Sequence, residues 1–91
     1  MEIKEITGRN YYATRRRGQI TNKTDQMDFV IKIGEETREL LESIGQSTIH
    51  PFDIKELADI TLVCFCMARH FGYDLQKVME EKMLFNEKRP D

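Results

Sequence analysis

From Ile60 to Ala68 the chain reads Ile-Thr-Leu-Val-Cys-Phe-Cys-Met-Ala, apolar almost all round if helical. That run is far short of the ~20 residues a membrane span needs, so it fits the centre of a small helical protein. Helical spacing then sets a condition on the fold. Glu56 falls on the stripe of Ile60, Val63 and Met67, and Asp59 on the stripe of Val63 and Cys66. Two carboxylates thus point inward from the helix with the most apolar surface to bury. Unpaired charges are costly there, so the fold must bring them a partner.

The preceding segment supplies more acid. Glu36 and Glu39 repeat the i, i+3 spacing of Glu56 and Asp59, which puts each pair within about 60° on one helix face. The apolar stripe of this earlier helix is Phe29, Val30, Ile33, Leu40, Leu41 and Ile44, with Glu36 at its edge and Glu39 further round. Glu35 and Glu42 turn away and read as solvated charges. The segment Gly45-Gln46-Ser47-Thr48-Ile49-His50-Pro51 is turn-like and allows an antiparallel return. One acidic pair is common on any solvated helix, but two pairs leaning into apolar stripes on successive helices are not. Four carboxylates converging between helices repel unless a cation sits among them. A hard divalent ion with oxygen ligands, Mg²⁺ or alternatively Mn²⁺, fits that demand.

The remaining chain also reads as helix. Residues 1–17 place Ile3, Ile6, Asn10, Ala13 and Arg17 on one face, and Gly18 suits a C-cap. Thr24 or Asp25 caps a second helix running to about Ser43, and Asp53 a third ending near His70. Asp74 caps a fourth running to about Glu87, before Pro90. Its inward stripe is Leu75, Val78 and Met79, continued by Lys82, Asn86 and Arg89. The expected fold is therefore all-α, a four-helix-type bundle without strands or internal repeats.

A chain of 91 residues makes one domain, 1–91, with a small core, so oligomerisation is expected. The net charge of −2 argues neither for nor against a nucleic-acid partner, and no stable nucleic-acid binding is expected. No signal-peptide pattern and no membrane-length apolar run occur, so the expected location is cytoplasmic. Cys64 and Cys66 point about 200° apart on a helix and cannot pair with each other there. They read as buried free thiols.

The order Glu-Glu-x-x-Glu, then Glu-x-x-Asp on the next helix, stands here as Glu35-Glu36-Thr37-Arg38-Glu39 and Glu56-Leu57-Ala58-Asp59. It resembles the signature of the MazG-like all-α nucleoside triphosphate pyrophosphohydrolases. These are house-cleaning hydrolases related to dimeric dUTPases, dCTP pyrophosphatases and phosphoribosyl-ATP pyrophosphohydrolase. The tail from Lys82 to Pro90 resembles their Lys-x-x-x-Asn-x-x-Arg/Lys element, and the likeness covers most of the chain from about Phe29 onward. The resemblance implies that Glu36, Glu39, Glu56 and Asp59 are the Mg²⁺ ligands and catalytic acids. It implies that Lys82, Asn86 and Arg89 bind the substrate triphosphate. The implied reaction cleaves a nucleoside triphosphate, a deoxynucleoside triphosphate by preference, between its α and β phosphates. The products are the monophosphate and pyrophosphate, and the implied assembly is a homodimer or dimer of dimers. The chain has one short unit, with no tandem domain and no insertion between the acidic helices, which leaves the preferred base open.

The rival reading is a non-enzymatic helical interaction or regulatory module that uses the acids as a partner-binding face. Three weaker features remain. His50 reads as a loop residue, and His70 as a helix-end cation favourable to the dipole. Tyr11, Tyr12 and Arg15 to Arg17 read as a solvated basic helix end before they read as a base-stacking platform.

Overall fold

The computed structural model describes residues 1–46 and 50–90. Four α-helices follow one another: α1 (Ile3–Arg16), α2 (Gln26–Ser43), α3 (Ile54–His70) and α4 (Leu75–Lys88). No strand occurs among the described residues. The all-α expectation holds, and the boundaries follow the capping chemistry. Asp25 and Asp28 form a reciprocal capping box at the start of α2, each side chain accepting the other's backbone N–H at 2.9 Å. Asp53 accepts from the Lys55 N–H and Asp74 from the Lys77 N–H. Past the ends of α1, α2 and α3, Gly18, Gly45 and Gly72 take positive φ, the backbone that glycine adopts without a Cβ clash. The turn expected between α2 and α3 falls partly on Ser47, Thr48 and Ile49, which lie outside the described residues.

Helix α3 is central, packing against α2, α1 and α4. The core is small: Tyr11, Ile20, Phe29 and Cys66 are buried, with Val63 and Met67 against them. Around it runs a polar network. The His70 ring bonds the Thr24 carbonyl through Nε2 at 3.1 Å and the Tyr11 hydroxyl through Nδ1 at 2.9 Å. A carbonyl can only accept, so Nε2 carries a proton. Arg15 donates to the Tyr11 hydroxyl and to Asn22 Oδ1. His70 thus ties α3 to α1 and to the α1–α2 connection, a larger role than the helix-end cation expected of it.

Three faces differ from the periodicity reading. Helix α1 turns Thr7, Asn10, Tyr11 and Thr14 inward, while Ile3 and Ile6 are exposed. The Tyr11 ring has more surface to bury, and Asn10 donates to the Cys66 sulfur at 3.3 Å. Helix α2 buries one narrow stripe, Phe29, Ile33, Glu36, Leu40 and Ser43, and leaves Val30, Leu41 and Ile44 in solvent. Glu36 is central to the packed face rather than at its edge. Helix α4 buries nothing fully: Leu75 is half-buried, but Val78 and Met79, expected inward, are exposed. The radius of gyration is 15.2 Å, against roughly 12 Å for a tightly folded chain of this length. The looser fold accompanies apolar residues left exposed on α1, α2 and α4.

Candidate metal centre

The site begins at the α2–α3 connection. Ser43 Oγ donates to the Leu40 carbonyl at 2.6 Å and accepts the Asp53 backbone N–H at 3.0 Å. That clasp holds the end of α2 to the cap of α3. Measured back along α2, Glu39 and Glu36 lie about 6 and 10 Å from it. Measured forward along α3, Glu56 and Asp59 lie about 4.5 and 9 Å from it. The two acidic pairs therefore meet at the same level.

They do converge. Glu36, Glu39, Glu56 and Asp59 each offer a carboxylate oxygen, and these oxygens lie within 4.8 Å of one another. The sites are unequal. Glu36 is 6% exposed and Glu56 half-buried, while Glu39 and Asp59 reach solvent. Glu36 Oε2 and Glu56 Oε2 are buried with no hydrogen-bond partner. Hydrogen bonding with the neighbouring Glu36 carboxyl, followed by the negative charge of Glu36, raises the Glu39 carboxyl above its ordinary range. With every acid ionised, the two buried oxygens face other anions and no donor.

A cation could occupy such a cluster. The large majority of buried polar side-chain atoms in folded proteins are satisfied, so two orphaned carboxylate oxygens at one point call for an explanation. The donors are all oxygen and anionic, the set preferred by a hard divalent cation. Glu36, Glu39, Glu56 and Asp59 would hold it.

One cation of the chain is already present. Lys32, one turn before Glu36, places its Nζ 2.9 Å from Glu36 Oε1. The hydrogen bond to Glu36 raises the Lys32 ammonium above its ordinary range, against a smaller opposing effect of burial. Sequence reasoning missed Lys32, although its i, i+4 spacing from Glu36 was a visible signal. It missed the Ser43 clasp, which carries no sequence signature.

Lys82, Asn86 and Arg89 lie elsewhere. Lys82 holds its ammonium 5.0 Å from the centre of the Phe85 ring. Among the described residues no ion pair or hydrogen bond joins any of the three to the four acids. One chain thus assembles the acids without bringing the fourth-helix cations to them. Cys64 and Cys66 are free, and burial pushes the Cys66 thiol up, so it stays protonated. Tyr11 belongs to the core, and Arg69 stacks over both Tyr11 and Tyr12. No helix among the described residues is long and apolar enough to cross a membrane.

No family model, curated protein or solved structure matches this chain.

Proposed function

We propose that the chain is a Mg²⁺-dependent nucleoside triphosphate pyrophosphohydrolase of the MazG-like kind. In this reading it releases pyrophosphate and leaves a nucleoside monophosphate, with deoxynucleoside triphosphates preferred. The observation that carries it is the pair of buried, unpartnered oxygens, Glu36 Oε2 and Glu56 Oε2, inside a four-carboxylate cluster. Bound there, Mg²⁺ (or Mn²⁺) would neutralise the phosphates and lower the pKa of a water. The chain's own residues supply the rest. Glu36 and Glu56 fix the position from within the packed face. Glu39, exposed and not fully occupied by the metal, would orient the attacking water and take its proton. Lys82, Asn86 and Arg89 would grip the triphosphate, delivered by a second copy in a homodimer or dimer of dimers.

The reading is tested by assaying pyrophosphate release from a panel of nucleoside triphosphates with and without Mg²⁺. Metal-dependent release that disappears in Glu56→Gln supports it. A protein that binds no Mg²⁺ at millimolar concentration and releases no pyrophosphate is instead an interaction module with an acidic face.

A further inference from the structure

Lys32 stands at a junction. Its Nζ is 2.9 Å from Glu36 Oε1 and 3.9 Å from Glu35 Oε2. The same side chain lines a cavity of about 350 Å³ whose other walls include Asn10, Ile20, Phe29, Val63 and Cys66. Lys32 thus separates the carboxylate cluster from the largely apolar hollow beside it. Its partner is fixed, because Glu36 is nearly buried and its second oxygen has no donor. Lys32 itself is not fixed, with a side chain 52% exposed on a flexible stem. The exposed ammonium can leave once another cation compensates the buried Glu36 carboxylate.

The charges set the consequence. A divalent ion at the cluster competes with Lys32 for the same Glu36 carboxylate, with twice the charge and more ligands. The displaced ammonium remains tethered on α2, between the cluster and the cavity. A polyphosphate bound at the cluster presents anionic oxygens on that side, and a lysine ammonium is a strong donor to them. We propose that Lys32 is the resting counter-ion of the cluster. Once a divalent cation displaces it, it becomes the donor to the substrate's phosphate oxygens on the cavity side. This inference rests on the metal-dependent phosphate chemistry proposed above.

The test separates the two roles by calorimetry on the whole chain, using Mg²⁺ alone and then inorganic pyrophosphate at saturating Mg²⁺. Lys32→Met should bind Mg²⁺ on the order of fivefold tighter, since a competing positive charge is gone. It should bind pyrophosphate about tenfold more weakly, the scale of one lost charge-assisted bond. Lys32→Arg keeps the charge and should stand close to wild type in both, which also guards against a Lys32→Met chain that fails to fold. Unchanged Mg²⁺ affinity in Lys32→Met overturns the counter-ion role, and unchanged pyrophosphate affinity overturns the phosphate role. Equal losses of pyrophosphate binding in the Arg and Met variants also overturn the phosphate role. If wild type binds both probes and Lys32→Met matches it, this inference alone falls. If wild type binds neither, the metal reading falls with it.

Discussion

Ser43 Oγ accepts the backbone N–H of Asp53 at 3.0 Å, and through that bond the last turn of α2 holds the cap of α3 in register. The consequence for the site is direct, because all four acids lie within two turns of the clasp. Ser43→Ala removes the acceptor and leaves a backbone N–H to find water. The expected loss of stability is about 0.5–1.5 kcal/mol. Mg²⁺ affinity should fall as well, since a looser register spreads the carboxylates. Urea unfolding and calorimetry measure the two effects. Lower stability with unchanged metal affinity would show that the clasp does not position the acids.

Removing a carboxylate should do the reverse to the fold. In the metal-free chain the four acids repel one another, and Glu36 and Glu56 are partly shielded from water. Glu56→Gln or Asp59→Asn should leave the fold intact or more stable while abolishing metal-dependent turnover. Wild-type activity in either variant at saturating Mg²⁺ would sink the ligand assignment.

Metal should stabilise wild type and not those variants. A ligand that binds only the folded state at a hundred times its Kd contributes about 2.7 kcal/mol. A thermal melt of wild type should therefore shift upward with Mg²⁺ or Mn²⁺, and that of Glu56→Gln should not. An equal shift in both would place the ion elsewhere.

Strong acid should loosen the start of α4. The Asp74 carboxylate accepts from the Lys77 N–H at 3.2 Å and lies 3.4 Å from Lys4 Nζ. The backbone bond, and then Lys4, hold its carboxyl below the ordinary value of 3.8. Because the folded carboxyl is the more acidic, its contribution is present above that ordinary value. It is lost as pH falls through the lower folded one. Hydrogen exchange at the Lys77 amide, corrected for intrinsic rates, should lose protection on acidification and already be fast in Asp74→Ala. Equal protection in Asp74→Ala and wild type at neutral pH would remove the cap from the account.

What the sequence made legible was local and periodic. Asp25, Asp53 and Asp74 were readable as caps, because short acids before helical runs satisfy free N–H groups. Glu56 was readable as inward because its stripe was apolar on α3, but Asp59, read the same way, is exposed. The Glu36–Glu39 pair was readable by spacing, although Glu36 proved more buried than its stripe suggested. Faces chosen by tertiary competition were not legible. On α1 Tyr11 is buried while Ile3 and Ile6 stay exposed, and periodicity gives each apolar residue equal weight. Val78 and Met79 satisfied an amphipathic pattern, but such a pattern does not say whether the surface that covers it belongs to the same chain.

That distinction carries the last prediction. Val78, Met79, Met83, Leu84 and Phe85 are each about half exposed on α4, a concentration of apolar surface typical of an interface. Lys82, Asn86 and Arg89 share this helix end, and among the described residues no ion pair or hydrogen bond joins them to the four acids. If a second copy covers α4 and receives these cations at its own carboxylates, each site draws acids from one chain and cations from the other. Lys82→Ala should then weaken nucleotide binding by roughly 1–3 kcal/mol while leaving Mg²⁺ affinity nearly unchanged. Mixing decides whether the arrangement is in trans. Combine equal amounts of Glu56→Gln chains with Lys82→Ala/Arg89→Ala chains and allow exchange. Half the dimers are then mixed, and in each of those one site of two is intact, so about a quarter of wild-type activity should return for a two-fold symmetric dimer. An arrangement in cis gives every mixed dimer one defect per site and no recovery. Light scattering that finds only the 10.8 kDa monomer, fully active, would rule out the shared site.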